Sequence, residues 1–173
     1  SGKGTFLRAL EDRGYFCVDN LPVGLLGKFS ELVVKAEGDF RRAALVVDVR
    51  EGEALDEFPK LFQELKQVYS LDASLYFLEA SEDILIRRFS QTRRPHPLDS
   101  TRPVREAIQM ERELLGPIRQ MSDHIVDTSR FSIHELQKYT DSLFDQKDSA
   151  GLLLSLVSFG YKHGIPVDSD LVF

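Results

Sequence analysis

The chain opens on Ser1, Gly2, Lys3, Gly4 and Thr5, directly before the apolar-periodic segment TFLRALEDRG. A glycine-rich turn leading into a helix turns its backbone N–H groups toward an anion. A lysine there reaches the terminal phosphates, and a hydroxyl meets the magnesium. The five residues read as the closing half of a phosphate-binding loop, with Lys3 as phosphate ligand. Position 4 is glycine where the full pattern has serine or threonine, and Thr5 follows, so direct coordination of Mg2+ is weakened. The bland alternative is a glycine-rich terminus without a ligand. Five residues alone do not choose between them.

A second group of residues bears on that choice. Between positions 87 and 105 stand Arg87, Arg88, Arg93, Arg94, Arg102 and Arg105, against one acid, Asp99. Guanidinium groups suit phosphate because they bind it bidentately and stay charged. A run this one-sided in an acidic protein asks for an anionic partner. The competing reading is a solvated face that pairs with nearby acidic helices.

Acids at strand ends form the third group. Asp48 closes LVVDVR and is placed to bind Mg2+ through water. Asp19 closes YFCVDN, and acids at the carboxyl ends of parallel strands face the ligand crevice. Either acid would serve equally as a turn or cap residue. Thr128 and Ser129 end VDTS and either line a ligand or cap the next helix. His96, His124, His134 and His163 have no metal-ligand spacing, and Cys17 in its apolar strand reads as a small buried hydrophobe.

These residues need a scaffold, and the hydrophobic pattern supplies one. The segment 5–14 places Phe6, Leu7 and Leu10 on one helical face and stops at Gly14. Short apolar runs at 15–20, 42–50, 73–80 and 123–129 read as strands. LPVGLLGKFSELVVKA reads as a turn and helix, and 55–70 as a helix that becomes regular near Pro59. A helix over 81–94 takes Ser81 as its N-cap. The helix over 104–121 should kink or end at Pro117. Ser132 and Glu135 form a capping box for the last helix. Strands and helices in alternation, with unbroken apolar strands, predict an α/β parallel sheet covered on both faces. A phosphate loop also requires a strand before Ser1, central in the sheet and missing from the sequence.

After the polar stretch 145–150 a new apolar run begins, and 151–173 reads as the start of a second, incomplete domain after a nucleotide-binding domain over 1–148. With no initiating methionine and Ser1 inside a motif, the native N-terminus is expected to lie upstream. The 173 residues, 42% hydrophobic and 29% charged, suffice for one good core. A net charge of −6 argues against a chain that coats nucleic acid or membrane. The run at 151–160 is far too short to cross a bilayer. The single cysteine excludes an internal disulfide and sets a cytoplasmic location as the default.

GKGT resembles the loop ending of adenylate kinases, and the layout around 87–105 resembles small P-loop kinases. In those, the segment after the fourth strand is a lid whose arginines close on the transferring phosphate, which implies catalytic roles for Lys3, Arg93 and Arg94. Over its whole length the chain resembles the P-loop proteins of the RapZ/YvcJ type. The resemblance rests on GKGTFLRALEDRGYFCVDNLP, VVDVR, LIRRFSQTRRPHPL, ERELL, VDTS and SFGYKHGIPVDSDLVF. It implies a P-loop NTPase fold that binds ATP and GTP with Mg2+ and hydrolyses them weakly. Ser1, Gly2, Lys3, Gly4 and Thr5 would be the remnant of the ATP loop. Asp48, Val49, Arg50 and Glu51 match the family's GTP motif, with Thr5 and Asp48 nearest the metal. The resemblance further implies RNA or protein partners through a C-terminal domain and leaves oligomerisation open. A small-molecule kinase, with Asp19 as substrate acid, is the alternative. A plain GTPase switch lacks its Asn-Lys-x-Asp base motif.

Overall fold

The computed structural model describes residues 2–35, 42–90, 103–145 and 154–158. Helix α1 (Lys3–Asp12) leads to the short strand β1 (Phe16–Val18), and a 3-10 turn at Val23–Leu25 leads to α2 (Leu26–Lys35). Strand β2 (Ala43–Val47) runs through a kinked 3-10 stretch, Val49–Glu57, into α3 (Phe58–Gln67). Then come β3 (Ala73–Glu79), α4 (Glu82–Ser90), α5 (Val104–Met121), β4 (His124–Asp127), α6 (Ile133–Asp145) and β5 (Leu154–Ser158). The strands form one parallel sheet in the order β1-β2-β5-β3-β4.

The apolar strands were expected to be covered on both sides; β2 and β3 are, whereas the edge strand β1 is partly exposed and the edge strand β4 largely so. All five residues of β2 are buried. Alternate side chains go to opposite faces because the strand repeat is two residues. Leu45 and Val47 join Leu75 and Phe77 of β3 in a core with Leu26, Phe58, Phe62, Leu115 and Ile118, so α2, α3 and α5 cover that face. Ala44 and Val46 join Tyr76 and Leu78 in a second core with Phe6, Leu10, Leu136 and Phe144, so α1 and α6 cover the other. Phe6 lies 5.7 Å from the Tyr76 ring and 6.1 Å from Phe144, within the range of favourable aromatic pairs.

Local signals set several boundaries. Gly14, at φ +79°, ends α1 with two bonds: its N–H donates to the Glu11 carbonyl, and Tyr15 N–H donates to that of Leu10. That is the Schellman pattern, which leaves the C′ residue left-handed and favours glycine. The capping box is present: Ser132 N–H donates to Glu135 Oε2 at 2.8 Å, and Glu135 N–H donates to Ser132 Oγ at 3.2 Å. Pro59 lies in the first turn of α3, where its missing N–H costs nothing. Pro117 does not end α5, which continues to Met121. Leu115 and Ile118 on either side of it are buried at 2% and 1% exposure, so packing holds the helix through the missing bond.

Residues 154–158, read from the sequence as belonging to a further domain, form β5 inside this sheet. They pair with Ala43–Val47 on one side and Ala73–Phe77 on the other. This places β5 at the centre of the sheet. Among the described residues, no helix is long and apolar enough to cross a membrane.

Candidate functional site

Lys3 is the first residue of α1, and its side chain is 3% exposed. An ammonium is buried only when paired. Its partner is the carboxylate of Asp48, itself 1% exposed and directly after β2. They stand 45 positions apart in sequence; the fold brings them into contact because α1 packs across β2. Among the described residues no side chain caps the N-terminus of α1, and Lys3 stands at that positive end of the helix dipole.

Gly2 supports this corner by having no side chain. It is left-handed, at φ 93° and ψ 6°. A Cβ there would meet Leu136 Cδ2 at 2.5 Å and Thr128 Cγ2 at 3.7 Å. Gly4 is different: a Cβ would meet nothing within 4 Å, so packing leaves room for the hydroxyl residue of the full motif. Thr5 is half-buried in the same turn.

Thr128, at the end of β4, is fully buried. Its N–H and hydroxyl both donate to the Glu79 carbonyl, at 2.7 and 3.0 Å, tying the tips of β3 and β4 together. Ser129 accepts from Ser81 N–H at 2.7 Å and donates to Asp127. Its own N–H also donates to that carboxylate, at 2.9 Å. These two bonds, the hydroxyl's first, hold the Asp127 carboxyl below the ordinary range, against a smaller pull upward from burial. A depressed carboxyl stabilises the fold above the unfolded value near 3.8, and that contribution is lost as pH falls through the folded value. Ser129→Ala is therefore expected to raise the Asp127 midpoint in an NMR titration, and an unchanged midpoint would show that these bonds do not set it.

The arginines separate into different roles. Arg88 donates to Thr128 Oγ1 and to the carbonyls of Thr128 and Phe131. Burial, then the neighbouring Arg87, pushes its guanidinium below the usual arginine value. Arg105 pairs with Glu82 at 3.1 Å, as the solvated-face reading expects. Arg119 grips Glu79 bidentately, at 2.7 and 3.0 Å. Ser1, Arg93, Arg94, Arg102, Asp99, His96 and His163 lie outside the described residues. The backbone of Val49, Arg50 and Glu51 opens the 3-10 stretch after Asp48, but their side chains also lie outside the described part.

The structure thus joins Gly2, Lys3 and Asp48 and adds Thr128 as their neighbour. Asp19 is exposed, beyond the edge strand β1. His124 stacks on Tyr76 at 4.5 Å, a packing role. Burial, then Glu11, pushes the Cys17 thiol up to about 12, so it is no nucleophile. Leu136 and Glu79 carried no signal in the sequence beyond ordinary apolar and strand-end positions. A cleft of about 390 Å³ lies beside the same strand tips, between Phe77, Glu79, Leu85, Ile108, Glu111 and Asp127. Neither Lys3 nor Asp48 lines it.

For a metal, Asp48 and Thr5 offer oxygen donors, the kind that Mg2+ takes. Two such donors fit an ion that keeps its waters and leans on substrate phosphates, as Mg2+ does. Among the described residues, no three His, Cys, Asp or Glu side chains gather into a metal cage.

Comparison with known proteins bears on the whole chain. The profile of the RapZ-like N-terminal domain family matches residues 1–148. A nucleotide-binding protein of Acidobacterium capsulatum is 50% identical over 174 residues, covering 100% of this chain and 56% of that protein. Nucleotide-binding proteins of Solibacter usitatus and Myxococcus xanthus are 48% and 46% identical, covering 100% and 99% of this chain and 53% and 59% of themselves. The chain thus spans a little over half the length of these relatives.

Proposed function

We propose, from the premise that this chain belongs to the RapZ-like N-terminal domain family, that it is the nucleotide-binding part of a regulatory protein. It holds ATP or GTP by the triphosphate tail and turns it over slowly. The observation that carries this reading is Lys3, buried at the N-terminus of α1 against Asp48 at the tip of β2. The relatives' names support the ligand class.

In this reading Lys3 and the first-turn N–H groups, with Ser1 and Gly4, hold the phosphates. Asp48 and Thr5 would hold Mg2+ through water, and the ion when bound supplies charge neutralisation at the terminal phosphates. Asp48, Val49, Arg50 and Glu51 form the side that answers to GTP. Arg93 and Arg94, from the arginine-rich segment, stabilise charge that develops during transfer.

Nucleotide occupancy is the signal, and an RNA or protein partner, held by the rest of the longer protein, reads it in the cytoplasm. A boundary near residue 148 is supported by the extent of the family match, while the place of β5 in the sheet argues for counting 154–158 with the first unit.

The test is partner capture by the full-length protein with ATP, with GTP and without nucleotide. Different partner recovery among the three is expected; identical recovery would overturn the regulatory reading. The alternative is a small-molecule kinase, which the exposed Asp19 at the end of β1 favours. Nucleotide turnover stimulated by a candidate metabolite would establish it.

A further inference from the structure

Arg88 belongs by sequence to the anion-facing arginine run, yet its contacts lead elsewhere. From α4, Nη1 donates to Thr128 Oγ1 at 3.1 Å, and Nη2 donates to the carbonyls of Thr128 at 2.9 Å and Phe131 at 3.4 Å. All three acceptors lie in the loop after β4. The acceptor residue Thr128 is fully buried and fixed to β3 through the Glu79 carbonyl. Its methyl group and Leu136 form the wall against which Gly2 rests.

We propose that Arg88 is a positioning residue for the phosphate loop. Its planar fork spans three oxygens and fixes the loop over 128–131. Through Thr128, and together with Leu136 of α6 just after it, that loop holds Gly2 left-handed and sets the first-turn N–H groups of α1 in place. A lysine cannot take this role, because one ammonium on a flexible stem does not span three separated acceptors. The inference rests on the reading of Gly2 and Lys3 as a triphosphate cradle.

The test uses the full-length protein and three ligands: ATP, GTP and inorganic tripolyphosphate, each with Mg2+ and at two salt concentrations. Arg88→Ala is expected to weaken all three by a common factor of about ten- to thirtyfold, the scale of lost hydrogen bonds to a charged group. Arg88→Lys should lose nearly as much, and the salt dependence should stay that of the wild type. Thr128→Val should weaken the same three ligands, and the double variant should be no worse than the weaker single one, since both act through one contact.

Melting of each ligand-free variant separates this from unfolding. If Arg88→Ala does not fold, Arg88→Lys carries the test. Affinity unchanged in a folded variant would overturn the proposal. So would a loss confined to the nucleotides, which would place Arg88 at the base. Retained affinity in Arg88→Lys, with a salt slope reduced by about one charge in Arg88→Ala, would make it a direct phosphate ligand and overturn it equally. Wild-type protein that binds none of the three, or binds them as well after Lys3→Ala, would remove the cradle itself.

Discussion

Lys3→Ala is expected to lower the affinity for ATP and GTP by at least about a hundredfold, the loss of a phosphate contact of about 2.7 kcal/mol or more. Two effects act together. The ammonium that would meet the terminal phosphates is gone, and Asp48 stays buried without it, adding negative charge where the phosphates must enter. The same substitution should destabilise the fold by about 3–5 kcal/mol, because one member of a buried ion pair is removed and the other remains. A binding assay on Lys3→Ala alone therefore mixes lost contact with lost fold.

The double variant Lys3→Met, Asp48→Asn separates them. Methionine keeps most of the lysine stem, and asparagine keeps the shape of the carboxylate without its charge. Replacing both partners of a buried pair is often neutral. The double variant should thus recover most of the stability measured by urea unfolding and none of the affinity measured by titration calorimetry. Recovered affinity would show that Lys3 does not touch the ligand.

Gly2→Ala is the second large effect. The residue is held at φ 93°, where an L side chain costs about 1–2 kcal/mol. The added methyl would also meet Leu136 Cδ2 at 2.5 Å, so the leucine must turn away or the backbone must move. Both responses disturb the turn that presents N–H groups to an anion, so affinity for triphosphates should fall by at least about tenfold while the fold survives. Adding Leu136→Ala removes the clash but not the backbone strain. The pair should regain part of the affinity, and the unregained part measures the conformational requirement. Gly4→Ser offers a contrast on the same turn. With open space around it, its stability should stay within about 0.5 kcal/mol of the wild type. If Gly2→Ala bound as tightly as the wild type, the corner would not be a phosphate loop.

Much of the scaffold was legible because it is written locally. The five apolar residues of β2, the Ser132–Glu135 box and Gly14 each carry their reason within a few residues. Lys3 stands before an amphipathic helix, which is why it reads as a phosphate ligand, but its burial against Asp48 had no local sign. Of the two outcomes expected at Pro117, a kink or an end, the end does not occur: a proline's cost is local, while the burial of Leu115 and Ile118 is set by the packing around the helix. Other features depend on distant pairing. Nothing near residue 154 tells which slot its strand fills, since a parallel partner can lie a hundred residues away. Arg88 looked like one more anion ligand because charge is visible in sequence and direction is not. Leu136 gave only a helical period, although its methyl, beside the left-handed backbone, is one of two reasons for glycine at position 2.

Cys17 turns the edge of the fold into a gauge of its own opening. Its Sγ donates to the Leu7 carbonyl of α1 at 3.5 Å, and burial, then Glu11, holds the thiol well above its ordinary value, so little of it is thiolate at neutral pH. Alkylating reagents therefore meet a reactive sulfur chiefly when β1 and α1 part. The rate of capture counts those partings, and a ligand seated at the head of α1 slows it in proportion to how tightly it binds. One native residue, without any added dye, would thus report whether a ligand sits at the helix's far end.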